Sequence, residues 1–116
     1  MLNIEPTTVK IPSDFHIAVT SLTDSNGNPL DITNTYIAFK FFIGDKSHYC
    51  VSDPMNNQFK NAVIKDGVLY LIFGRHPFRK PGVLMYVQED RVPNQLYPDG
   101  YQNTYSDECE SNITLE

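Results

Sequence analysis

Tryptophan is absent from this sequence, cysteine occurs twice, and after residue 80 a single basic residue remains. Each shortage excludes something. Cys50 and Cys109 lie far apart without CxxC spacing, which removes the common redox and zinc motifs. They are free thiols, as a reducing compartment keeps them, or a bridge should the fold bring them together. No apolar run reaches the 18 or so residues of a membrane span. The opening "MLNIEPTTVK" lacks the basic and apolar regions of a signal peptide. The expected location is therefore not reached by that export route.

The charge is unevenly placed. Residues 1–80 hold eight Lys/Arg and seven Asp/Glu, whereas residues 81–116 hold Arg91 alone against seven acidic residues. An acidic final third opposes a phosphate backbone, so no nucleic-acid partner is expected. The one basic grouping is "RHPFRK", with Arg75, Arg79 and Lys80. A solvated loop and a contact patch for an acidic partner are its two readings.

Catalytic signatures are equally scarce. GxSxG, GxGxxG and GxxxxGK[ST] do not occur, and no nucleophile and base share a recognisable context. His16, His48 and His76 fall on different segments. Glu89 and Asp90 are adjacent and would point to opposite faces of a strand, which defeats joint acid–base work. The stretch "SLTDSNGNPLDIT", residues 21–33, places Asp24, Asn26 and Asn28 at the first, third and fifth positions of an EF-hand loop. Pro29 and Thr35 then occupy the places that need Gly and Glu. It reads as a corner between strands. The expectation is a protein without catalytic residues, cofactor or metal.

What is present is alternation with period two. Phe15, Ile17 and Val19 share a face, as do Ile37, Phe39, Phe41 and Ile43. "HYCVS" can pair with the latter across "GDK", and "AVIKDGVLYLIF" reads as a hairpin about Asp66-Gly67. "GVLMYVQED" and "SNITLE" follow. Eight prolines leave no room for long helices. Seven or eight short, mainly antiparallel strands with frequent turn signals predict an all-β sandwich. It would be a single domain over residues 1–116, with 1–12 an extended arm or first strand.

The polar excursion at 93–111 carries Tyr97, Tyr101 and Tyr105, spaced by four. Such rings either pack back onto their own sheet or form an interface with another chain. "SHYCVS" is a second candidate contact, as an edge strand.

The order of these segments resembles the immunoglobulin-like modules of tailed-phage and prophage structural proteins. It is similar to the N-terminal modules of siphophage baseplate upper proteins. The corner Gly27 to Thr33 with Ile37-Phe39-Phe41 matches one family segment. Asp66, Gly67, Leu69 and Leu71 match a second, and Pro81, Gly82, Leu84 and Tyr86 a third. "PMNNQF", residues 54–59, departs from it as an insertion. The resemblance implies an immunoglobulin-like sandwich and a structural assembly role in a virion, by contact with other protein chains or with itself. Without a phage origin, a cytoplasmic location is expected. The rival is a carbohydrate-binding or adhesion sandwich.

Overall fold

The computed structural model describes residues 1–116. Ten strands form: β1 (Thr7–Val9), β2 (Phe15–Val19), β3 (Ile37–Ile43), β4 (Lys46–Asp53), β5 (Gln58–Lys60), β6 (Ala62–Lys65), β7 (Val68–Phe73), β8 (Gly82–Pro93), β9 (Tyr101–Tyr105) and β10 (Cys109–Leu115). The one helical turn is Pro54–Asn56. The chain is all-β.

The larger sheet has the order β1-β10-β8-β3-β4-β5, and the smaller is β2-β7-β6. All pairings are antiparallel except β1 with β10. Two added strands, β4 and β5, extend the β10-β8-β3 sheet opposite a separate β2-β7-β6 sheet. That is the variable-type immunoglobulin arrangement. The expected sandwich is present. Ten strands rather than seven or eight arise because "QFK" in the insertion pairs as β5, and Tyr101–Tyr105 pairs as β9.

The alternation places side chains as anticipated. Across the inner face run three rows: His48–Phe41–Tyr86, Cys50–Phe39–Gln88 and Ser52–Ile37–Asp90. Every residue in them is buried. Ile17, Val19, Leu69, Leu71 and Phe73 answer from the smaller sheet. Phe73 spans the gap, edge-on to Phe41 at 4.9 Å and stacked on His48 at 4.8 Å between ring centroids. Both residues of the Asp66-Gly67 turn have positive φ, 53° and 77°. This matches the hairpin geometry whose twist suits the flanking strands.

One expectation needs refinement. "SHYCVS" is an edge only in part: Ser47–Cys50 pair with β3 alone, while Val51 and Ser52 pair with both β3 and β5. His48 points inward from this strand, and its Nε2 meets the Ile72 carbonyl at 2.9 Å. Cys50 and Cys109 are free. They lie on β4 and β10 with β3 and β8 between them, about 14 Å at normal strand spacing. A disulfide tolerates about half that.

The corner at 21–33 is a turn closed by its own backbone. Asp24 N–H donates to the Asn28 carbonyl at 2.8 Å, and Gly27 N–H to the Asp24 carbonyl at 3.1 Å. Asp24 Oδ1 accepts from the amides of Asn26 and Asn28, each at 2.9 Å. The bond from Asn28 chiefly holds the Asp24 carboxyl below its ordinary pKa. That oxygen is spent on the loop itself.

Candidate interaction surface

β8 is the element that builds the surface. Its first half pairs with β10 and its second half with β9, on the side away from β3. Register pairs Glu89 with Tyr105 and Pro93 with Tyr101. The strand end and β9 thus continue past the start of β3 as a two-stranded ribbon, with residues 94–100 at its tip. Polar groups sustain it: Asn94 Nδ2 donates to Gln102 Oε1 at 3.1 Å, and Tyr101 N–H to Asp99 Oδ1 at 3.1 Å.

The three tyrosines singled out by spacing are all solvent-accessible: Tyr97 is 43%, Tyr101 44% and Tyr105 63% exposed. They do not form one cluster. Tyr97 belongs to the tip, Tyr101 lines a cleft at the loop end of the sandwich, and Tyr105 lines a groove on the outer face of the larger sheet. The turn at 94–100 sets Tyr97 apart, while Tyr101 and Tyr105, four apart on β9, share one face of that strand and lie at its two ends.

The groove on the outer sheet face has a volume of about 440 Å³. Its walls include Tyr36, Tyr49, Val51, Val87 and Tyr105, with Lys40 and Glu89 among them. A solvated sheet face normally alternates to polar residues; this one stays aromatic and aliphatic. Tyr49 is 48% exposed. Glu89 organises one rim, where Oε1 accepts from the Tyr36 hydroxyl at 2.5 Å. Burial first, and then this bond, raise the Tyr36 phenol pKa well above its usual value. Hydrogen bonding to Glu89 raises that of Tyr105 as well. The Tyr36 phenol therefore stays protonated as a donor to Glu89.

At the loop end, residues from the β2–β3 connection, the β4–β5 turn and the ribbon meet around a second cleft of about 250 Å³. Tyr36, Asp53, Arg91 and Tyr101 are among its walls. The Arg91 guanidinium lies 3.9 Å from the Tyr36 ring centroid, a cation–π distance.

The basic residues lie at the other end of β8. Arg75, Arg79 and Lys80 are exposed in the β7–β8 connection, about 40 Å of strand from the ribbon tip. Arg79 is partly committed there, donating from one terminal nitrogen to the His76 and Phe78 carbonyls at 2.8 Å each. Arg79 and Lys80 share a third cleft with Lys46. The structure thus separates the basic group from the tyrosines along the long axis of the molecule.

The sequence reading missed Tyr36, Tyr49, Val51 and Val87. A signal for them existed. In "IAFKFFI" and "HYCVS" the positions alternate to the inner face, yet the intervening Ala38, Phe42, Tyr49 and Val51 are also apolar or aromatic. Apolar residues on both faces mark a strand that expects cover on both sides.

No helix is long and apolar enough to cross a membrane. No protein-family model matches the chain, and no curated protein matches it in sequence.

Proposed function

We propose that the protein is a non-enzymatic assembly module that works by protein–protein contact. The observation that carries this reading is the aromatic groove on the outer face of the larger sheet. Contiguous apolar surface on a solvated face marks an interaction site, and tyrosine is enriched at such interfaces. The phage or prophage virion as its setting follows from the resemblance in segment order.

A second copy of the chain is the occupant that suits the groove. Lys40 on β3 and Glu89 on β8 both line it. A two-fold related copy sets the lysine of each molecule toward the carboxylate of the other. The basic connection and the ribbon, at opposite ends, give the same chain a means of head-to-tail contact.

Light scattering over a concentration series, at low and high salt, tests the reading. A dimer is expected, abolished by Val87→Lys with the circular dichroism spectrum unchanged. A monomer up to the solubility limit at every ionic strength overturns self-association. A dimer indifferent to Val87→Lys moves the contact away from the groove.

A further inference from the structure

We propose that the cleft at the loop end of the sandwich is a binding site for one ring of a neutral saccharide. This does not depend on the assembly reading, since the cleft and the sheet-face groove are separate openings that share only Tyr36.

Size comes first. About 250 Å³ lies below the usual range for drug-sized ligands, roughly 300–1,000 Å³. It admits one small ring.

The polar inventory then selects the ligand class. Asp53 is only 6% exposed. Its Oδ2 accepts from Asn56 Nδ2 at 2.9 Å, and its other oxygen takes no protein donor. That oxygen is not among the sealed, unpartnered atoms of the core, which are Ser52 Oγ and Gln88 Oε1. It is therefore open to the cleft. A carboxylate held among protein atoms with a free acceptor calls for a donor from outside.

Across the same cleft, Arg91 donates from Nε to Asn103 Oδ1 at 3.3 Å. Its terminal nitrogens have no protein acceptor. Asp53 and Arg91 are not paired with each other, so the site presents an acceptor-only group and a donor-only group. A cation drawn to Asp53 is repelled by Arg91, and an anion drawn to Arg91 is repelled by Asp53. A neutral ligand with several hydroxyls engages both, because each hydroxyl can donate or accept. Bonds from neutral hydroxyls to charged partners are the stronger kind. Asn34 and Asn56 add amide oxygens as acceptors, since the Asn34 amide donates to Asp31 and Thr33 and that of Asn56 to Asp53.

The last component is a platform. A sugar ring has an apolar face of C–H groups that needs a flat partner. One face of Tyr36 is occupied by Arg91. Tyr101, held on the ribbon and 44% exposed, supplies the free ring. Tyrosine gives such contact area at little entropic cost.

Saturation-transfer NMR with a panel of methyl glycosides (glucoside, galactoside, mannoside and N-acetylglucosaminide) tests the proposal on the whole chain. At least one should give transfer signals with weak affinity. Tyr101→Ala should weaken it about tenfold or more, the loss of one ring contact and its neighbours. Asp53→Asn, which keeps the shape and removes the charge, should weaken it further than Tyr97→Ala, whose ring lies outside the cleft and should change nothing. Absence of signal from every glycoside at high concentration overturns the proposal. So does binding that is indifferent to both Tyr101→Ala and Asp53→Asn. Preferential binding of glycine or acetate in competition shows that the cleft selects charge, and overturns the neutral class. Dimer formation measured on the same variants keeps this outcome distinct from that of the assembly reading.

Discussion

Asp90 Oδ2 accepts from both the backbone N–H and the hydroxyl of Ser25, each at 3.1 Å. The bonds tie the β2–β3 connection to a strand 65 residues later in the chain. Asp90 Oδ1 accepts from Gln88 Nε2 at 2.8 Å, and the same amide donates to the Thr23 carbonyl at 2.9 Å. Asp90 itself is 2% exposed. Asp90→Ala takes the charged acceptor from the buried Gln88 amide, which keeps its bond to the Thr23 carbonyl, and from the two donors of the exposed Ser25, and should cost about 2 kcal/mol. Urea unfolding followed by circular dichroism measures it. A loss under about 1 kcal/mol would show that the loop holds its place without this carboxylate.

Ser52 gives the opposite sign. Its hydroxyl is sealed in the core without a partner. Ser52→Ala removes an unmet polar group and should stabilise the protein by about 1 kcal/mol. A lowered urea midpoint would mean that the hydroxyl is bonded after all.

Phe39 and Phe41 share the inner face, 2% and 0% exposed, with ring centroids 5.6 Å apart. Phe39→Ala should cost about 3–5 kcal/mol through lost burial and the cavity left behind. A cost below about 1 kcal/mol is incompatible with a ring packed against Tyr86 at 6.0 Å.

His48 predicts a pH dependence. Burial lowers its pKa in the folded chain below the ordinary 6.5, against the raising effect of the Ile72 carbonyl. The unfolded chain therefore binds this proton more readily than the folded one. Its contribution to stability is complete above about pH 6.5 and declines as the pH falls below that value, until the depressed folded pKa is passed. The drop in urea midpoint between about pH 7.5 and pH 5.5 should shrink in His48→Gln. An equal drop in both proteins would assign the dependence elsewhere.

The two thiols should differ in reactivity. Burial pushes the Cys50 pKa up to about 12 and removes it from solvent. Cys109 is partly exposed. A thiol reagent should titrate one equivalent in the native protein and two after denaturation, since the thiolate is the reacting form. Cys109→Ser should leave the native protein unreactive.

Local chemistry made much of the fold legible in the sequence. Asp66-Gly67 marks its hairpin, and the alternation through Phe15, Ile17 and Val19 sets that strand's inner face. Strands without apolar alternation stayed hidden. β5 is exposed throughout and β9 is built mostly of polar residues, so backbone pairing alone reveals them. The alternation of "GVLMYVQED" ends that strand at Asp90. In the structure β8 runs on to Pro93 through its pairing with β9, its inner positions Gln88 and Asp90 bonded to each other. The interaction surface was legible only in outline. The spacing of the tyrosines leaves packing and interface both open, and the division of Tyr101 and Tyr105 between cleft and groove depends on how far β8 and β9 run past β3. The meeting of Asp53 with Arg91 depends on a register set across β4, β3 and β8.

The parallel pairing of β1 with β10 has a mechanical consequence. Ile11 N–H to the Glu116 carbonyl and Glu116 N–H to the Val9 carbonyl, both at 2.9 Å, lengthen that ladder. Tension drawing Thr7 and Leu115 apart along the chain pulls the two strands past one another, because parallel strands present these residues at opposite ends of the ladder. The hydrogen bonds lie across that direction and share the load in shear, rather than parting one by one as in an unzipping hairpin. Such a module should withstand pulling along its length better than peeling at β5, where three exposed residues are the whole hold.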